Sequence, residues 1–184
     1  MQGSASVKLT EGDVTLSPLL PGDVDAHLAG EDEELVRWLN GGAGTRADVA
    51  DHVRHCGEQW ERGGPLRAFG LRVGEPPVLA GTVDLRFAMP GLEPHQVNIA
   101  YGLYPAWRGR GLATRAVRLA CWYAAGEGAS EGVIQVDPGN PRSAGVAVRA
   151  GFTYAGQVRR LDGGLFDRYV LDLPPGADAD ADAD

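Results

Sequence analysis

Two glycines sit among arginines, from Arg108 to Gly111, in the stretch "YPAWRGRGLATRAVRLACWYA" that runs from Tyr104 to Ala124. They directly precede a segment with the apolar spacing of a helix. Glycine is a costly neighbour for a helix because it loses the most backbone freedom on folding. One chemistry that uses bare backbone there is anion binding. The first N–H groups of a helix lack partners within it and carry a positive partial charge, and residues without Cβ let a phosphate come close. The same spacing fits a plain surface turn with solvated arginines, and spacing alone leaves the two readings even. Two nucleotide motifs are excluded: a P-loop needs a lysine after its second glycine, and Lys8 is the only lysine of the chain. A dinucleotide fingerprint needs three glycines early in a parallel sheet.

The elements that position this loop are legible from their periods. The stretch "VTLSPLL" reads as an opening strand, "PGDVDAHLAG" as a short helix with Pro21 in its first turn, and Glu33 to Leu39 as a second helix. A third helix begins at a capping box formed by Thr45 and Asp48, with Val49, Val53, Cys56 and Trp60 on one face. The period then changes to two. In "VLAGTVDLRF" the side chains Leu79, Val83, Leu85 and Phe87 alternate with Thr82, Asp84 and Arg86, and "LRAFGLRV" and "VNIAYGLY" are its expected hairpin neighbours. After Tyr104 the order becomes helix, strand "GVIQV", helix, strand, strand. Asn140 is the N-cap and Pro141 the first residue of the last helix; Phe152 to Gln157 and Phe166 to Leu173 close the chain.

With 184 residues, 43% apolar and 23% charged, the sequence suits one globular domain over residues 13–173. Residues 1–12 and the acidic stretch 174–184 read as tails. No apolar run approaches the ~20 residues of a membrane helix, and the N-terminus lacks the apolar core of a signal peptide, so a cytoplasmic protein is expected. The net charge of -8 offers no broad field for nucleic acid or an anionic membrane and favours a cationic substrate. Cys56 and Cys121 fall inside helical patterns and read as buried free thiols. His52, His55 and Cys56 lack the second ligand pair of a structural metal site, so no metal is expected.

At "RGRGLA", Arg108 to Ala113, the loop resembles the Arg/Gln-x-x-Gly-x-Gly/Ala motif of the GNAT superfamily of acyl-coenzyme A dependent N-acetyltransferases. The similarity continues through "NPRSAGVAVRAGF", which resembles the Asn-x-x-Ser and Gly-Phe elements of the branch containing the ribosomal-protein N-terminal acetyltransferases (RimJ/RimL type). It covers about Val14 to Leu173. The resemblance implies a mixed α/β fold: a mostly antiparallel, seven-stranded sheet splayed between strands 4 and 5 and flanked by about four helices.

It further implies that backbone N–H groups of Arg108, Gly109, Arg110, Gly111, Leu112 and Ala113, with Thr114 close by, hold the pyrophosphate of acetyl-CoA. The pantetheine arm would pair with the backbone of Leu103 and Tyr104. Asn140 would contact that arm, and Ser143 would lie near the thioester sulfur. Arg110, Arg142 and Arg149 are all candidates for the 3'-phosphate.

An amine attacking the thioester needs a base and the leaving thiolate needs an acid. The tyrosine that many members place five residues before the Gly-Phe phenylalanine corresponds to Ala147, which leaves Ser143 as the acid; a first-turn serine bonding backbone is the competing reading. Where relatives often carry Glu on the fourth strand this chain has Asn98. Symmetric pairing of the hairpin puts Asp84 near Ala100, diagonal to Asn98, so a water relay through Asp84 or Glu93 is the expected base. Trp38 and Trp60 are core residues or walls of an acceptor pocket. The missing Tyr and Glu also admit a second function, a catalytically silent acyl-CoA-binding sensor. Acceptor identity stays open among a protein N-terminus, an amino sugar and a small amine, as does monomer against homodimer.

Overall fold

A computed structural model describes residues 7–40 and 42–175. Eight strands form one sheet in the order β1-β2-β3-β4-β5-β6-β8-β7. They are β1 (Leu9–Glu11), β2 (Val14–Pro18), β3 (Leu66–Val73), β4 (Val78–Arg86), β5 (Gln96–Leu103), β6 (Glu131–Val136), β7 (Thr153–Arg159) and β8 (Leu165–Asp172). All neighbours are antiparallel except β5 and β6. The helices are α1 (Val24–Gly30), α2 (Glu33–Leu35, continued by a π turn over Val36–Asn40), α3 (Arg46–Arg62), α4 (Leu112–Gly126) and α5 (Pro141–Arg149).

The count therefore exceeds the expected seven strands and four helices. The extra strand is β1, which lies in the segment expected to be a tail. It pairs Leu9 with Leu16, and Leu9 is buried, because the Gly12 turn lets the chain fold back antiparallel on β2. The strand before the glycine loop is consequently the fifth. Residues 1–6 and 176–184 of the expected tails lie outside the described residues.

The helix signals hold. Thr45 and Asp48 form the reciprocal capping box of α3, and Val49, Val53, Cys56 and Trp60 are all buried. Asn140 caps α5 through its side-chain oxygen, which accepts from the Ser143 amide, with Pro141 at the first helical position. Two cores result. The larger joins α4 to Val83, Leu85, Val97 and Ile99 of the central strands, and Phe152 and Ala147 to β6. The smaller sits beneath α1, α2 and α3 and includes Leu19, Val53, Cys56, Ala68 and Tyr104. Each fully buried aliphatic or aromatic side chain contributes roughly 1.5–3 kcal/mol.

Alternation along β4 then sends Val83 and Leu85 into the larger core and leaves Thr82, Asp84 and Arg86 on the face toward α1 and α3. The hairpin register sets Asp84 opposite Ala100 and Arg86 opposite Asn98, as symmetric pairing predicts. Cys56 and Cys121 are buried free thiols. No helix among the described residues is long and apolar enough to cross a membrane.

Candidate active site

The parallel ladder between β5 and β6 is three pairs long, from Gln96–Glu131 to Asn98–Val133. Beyond Asn98 the strands diverge, while β5 stays paired with β4 as far as Leu103 opposite Gly81. The Tyr104 amide donates to the Ala80 carbonyl at 2.9 Å, so antiparallel alternation turns the backbone groups of Ile99, Tyr101 and Leu103 toward the gap. This corrects one expectation. Leu103 lines the gap, but Tyr104 spends its amide on β4 and its side chain in the smaller core, where its hydroxyl lies 2.6 Å from His27 Nδ1. The gap widens into a cleft of about 850 Å³. Above it α2 packs directly on bare backbone at Gly102, where an added Cβ would collide with the side chains of Leu39 and Leu35.

At one end of the cleft lies the glycine loop. Pro105–Trp107 forms a 3-10 turn, and Gly109 and Gly111 take left-handed conformations with φ of 75° and 73°. Nothing lies within 4 Å of a Cβ built on either, so it is the backbone conformation, not crowding, that requires glycine. Gly111 is the N-cap of α4, and the Arg115 amide bonds the Gly111 carbonyl at 3.3 Å. The amides before it in the first turn are therefore the ones an α-helix leaves open. Thr114 sharpens the picture. It is buried and lines the cleft, yet its Oγ1 has no hydrogen-bond partner among the described residues. An orphaned hydroxyl beside open amides at a helix N-terminus fits a phosphate oxygen.

Arg108 belongs to the loop in another way. Its Nη1 and Nη2 donate to the two carboxylate oxygens of Asp32 at 2.7 and 2.8 Å, Nη1 also reaches Glu34 at 3.0 Å, and Nε donates to the Leu103 carbonyl at 3.0 Å. The guanidinium thus ties α2 to the end of β5 instead of facing the open amides. Arg110 stacks over the Trp107 ring at 5.2 Å, while Arg142 and Arg149 line the cleft.

The hydrogen bond from Arg108 holds the Asp32 carboxyl at a pKa of about 2, below its ordinary 3.8. A depressed carboxylate adds stability above its unfolded pKa, and that stability is lost as pH falls through the folded value. Asp32→Asn keeps the cap on the Leu35 amide but removes the charge. Its deficit in urea midpoint should be constant above about pH 5 and shrink toward about pH 2. A deficit that does not change with pH would refute this account of the clamp.

Across the gap, the first turn of α5 presents Ser143. Its Oγ donates to the Tyr101 hydroxyl at 3.1 Å, and that hydroxyl donates to the Ser143 carbonyl at 2.8 Å. Burial pushes the Tyr101 phenol up to about 12. Ala147, one turn on, is fully buried. Tyr101 was absent from the sequence-based site. It shares a strand face with Ile99, and nothing in the sequence pairs it with a serine 42 residues away.

A second cavity of about 480 Å³ lies on the face beneath α1 and α3 and shares Leu39, Arg86, Ala100 and Tyr101 with the cleft. Asp84 lines it together with His27 and His52. Burial raises the Asp84 carboxyl above its ordinary range, opposed by Arg86, His52 and His27; Arg86 Nη2 sits 3.3 Å from Asp84 Oδ2. Burial likewise pulls His27 below its ordinary value. Glu93 is exposed and lines neither cavity, so of the two expected base residues the structure brings only Asp84 to the site. His27 was missed because only the fold brings α1 against the end of β5.

Trp38 lines the cleft, whereas Trp60 is core and donates its indole N–H to the Ala68 carbonyl. His52 Nε2 lies 3.6 Å from Cys56 Sγ; among the described residues no group of three or more His, Cys, Asp or Glu is arranged to hold a metal.

Solved structures share this architecture. RimL, a ribosomal L7/L12 alpha-N-protein acetyltransferase in complex with coenzyme A, superposes with a TM-score of 0.77 at 17% identity, covering 91% of this chain and 98% of that one. A GNAT-family acetyltransferase from Bacillus anthracis gives 0.73 at 16% identity, covering 89% and 96%. AAC(6')-Ib in complex with paromomycin and acetyl-CoA gives 0.72 at 20% identity, covering 88% and 94%. No curated protein matches the sequence significantly. A family model described as the acetyltransferase (GNAT) domain matches residues 13–153. With that match spanning most of the chain, over a sheet that parts beside a helix N-terminus, the chain belongs to the GNAT acetyltransferase family.

Proposed function

We propose that the protein transfers an acetyl group from acetyl-CoA directly to a primary amine. One observation carries this reading: the cleft that ends at open helix amides and the chamber that holds Asp84 meet at Ala100 and Tyr101, on the unpaired edge of β5. Acetyl-CoA supplies an activated thioester carbonyl. The chain supplies everything else. Backbone amides from Gly109 to Ala113 and the Thr114 hydroxyl hold the pyrophosphate, the expected Arg108 amide being spent on the Pro105 carbonyl, and the backbone of Tyr101 with the Leu103 N–H, whose carbonyl is bonded to Arg108, pairs with the pantetheine amides. Asn140 orders the turn that presents Ser143. Asp84, across β5 at Ala100, takes the proton from the ammonium so that the nitrogen lone pair can attack.

Ser143 Oγ turns its proton from the Tyr101 hydroxyl to the departing sulfur and is reprotonated by the proton that the new amide nitrogen sheds, so that Tyr101 stays a phenol and holds the serine in place. A β5 amide facing the gap donates to the oxyanion. No covalent enzyme intermediate is needed, because positioning of the two reactants supplies much of the rate. Such an enzyme works in the cytoplasm, where its cosubstrate is made available, as a monomer or as a dimer through the β7 edge of the sheet.

The acceptor is a protein N-terminus, an amino sugar or a small amine. Thiol release from acetyl-CoA over an amine panel, including peptides with Ser or Ala first and amino sugars, tests the reading. At least one amine should accelerate release by orders of magnitude over buffer. Calorimetric binding of acetyl-CoA with no release for any amine would identify a silent binding protein instead.

A further inference from the structure

The end of the cleft remote from the glycine loop is basic. Arg160, in the turn between β7 and β8, reaches into it: Nε donates to Gln135 Oε1 on β6 at 2.9 Å, and the guanidinium carbon lies 3.7 Å from the centroid of the Phe166 ring on β8. Held from two sides, the flat group keeps its terminal nitrogens for the cleft. No ion pair among the described residues involves Arg160. Arg86 lines the same end and is bonded to Asp84 through one nitrogen at 3.3 Å.

Burial and the neighbouring Arg86 charge both disfavour the Arg160 cation, and Asp162 in its own turn offsets them in part. The Asp162 carboxylate already accepts from the Gly164 amide at 2.8 Å. Directly across from Arg86 on the ladder, Asn98 is 3% exposed and its Oδ1 has no partner among the described residues. An unpaired amide oxygen takes an N–H donor, and two neighbouring guanidinium groups that have between them one carboxylate partner, Asp84 on a single Arg86 nitrogen, keep donors for a further anion.

Position decides which anion. From Leu103 to Asn98, β5 spans ~17 Å at the usual strand rise, so the arginine pair stands at the acetyl end, a pantetheine length from the phosphate-binding amides. We infer that Arg160 and Arg86 form a carboxylate subsite for the amine acceptor, with Asn98 Oδ1 receiving an N–H of the same molecule. This rests on the acetyl-transfer reading above and narrows its substrate class to amines that carry a carboxylate a few bonds away. A free amino acid and a peptide whose N-terminal residue is followed by Asp both present that chemistry.

The test is steady-state thiol release with matched pairs: an α-amino acid against its amide, and a short peptide with Asp second against the same peptide with Asn second. At least one carboxylate member should show kcat/KM about tenfold or more above its neutral partner, carried mainly by KM. Arg160→Gln should collapse that ratio toward one while calorimetric acetyl-CoA affinity is kept, and Arg160→Lys, which preserves the charge, should retain part of it. Preference in the first pair alone assigns a free amino acid, and in the second alone a peptide. Amines accepted without any preference overturn the subsite and leave acetyl transfer standing. A preference that survives Arg160→Gln overturns the assignment to this arginine. No release with any amine fails the transfer reading itself.

Discussion

Gly111→Glu is expected to weaken acetyl-CoA binding by at least about a hundredfold while the protein stays folded. A hundredfold corresponds to about 2.7 kcal/mol, and two effects act together. The φ of 73° at Gly111 is a conformation that costs a residue with Cβ roughly 1–2 kcal/mol. The carboxylate would then occupy the helix end that the pyrophosphate needs, replacing attraction with repulsion. Because nothing lies within 4 Å of the new Cβ, the core is not disturbed, and the far-ultraviolet circular dichroism should match the parent. Gly111→Ala separates the contributions: it carries the strain without the charge, so its loss should be smaller than that of Gly111→Glu. Calorimetry on the three proteins reads the result, and near-parental affinity in Gly111→Glu would refute the phosphate site.

Asp84→Asn is the second large effect, acting at the other cavity. The substitution is isosteric, so fold and cofactor affinity should persist while kcat falls by about 10²–10⁴, the usual loss on removing a general base. The pH dependence gives a sharper readout. Burial raises the Asp84 pKa, so the proton-accepting form accumulates, and kcat/KM climbs, as pH rises through that elevated value. The facing groups are His27 from α1, His52 from α3 and Arg86 on the same strand, and all three pull the value back down. Asp84→Asn should abolish this limb and leave only the rise due to deprotonation of the amine itself. An unchanged pH-rate profile would remove Asp84 from the mechanism.

Local signals explain what was legible in the sequence. A capping residue and its first turn lie within four positions of each other, so the Asn140–Pro141 start of α5 and the Gly111 start of α4 could be read without a fold. The opposition of Asp84 and Ala100 followed from a hairpin whose two strands announced their period. What escaped depends on contacts between distant segments. No local signal gives the Arg108 side chain a partner, because Asp32, which it binds, lies 76 residues away. The family resemblance implied Leu103 and Tyr104 together for the pantetheine arm, whereas the hydrogen-bonding direction of the Tyr104 amide depends on its pairing with Ala80. The Tyr101–Ser143 and His27–Tyr104 contacts likewise exist only once α5 and α1 have docked. The strand at Leu9–Glu11 was lost in a segment of small polar residues, where three residues are too few to show a period.

The parting of β5 from β6 has a consequence for selectivity by width. A sheet edge left open in mid-molecule is a template for any extended chain, and natural proteins guard such edges against unwanted strand addition. Here the guard is α2, seated so close on Gly102 that Leu35 and Leu39 occupy the space where a side chain would stand. A peptide strand projects substituents from alternate residues and would meet that roof. Pantetheine has the amides to satisfy the edge, and beyond the hydroxyl and geminal methyls nearest the pyrophosphate its arm carries no substituents. If pantetheine lies along this edge as proposed, the glycine in the strand and the two leucines above it would act as a gauge that passes a slender amide chain and turns back a polypeptide.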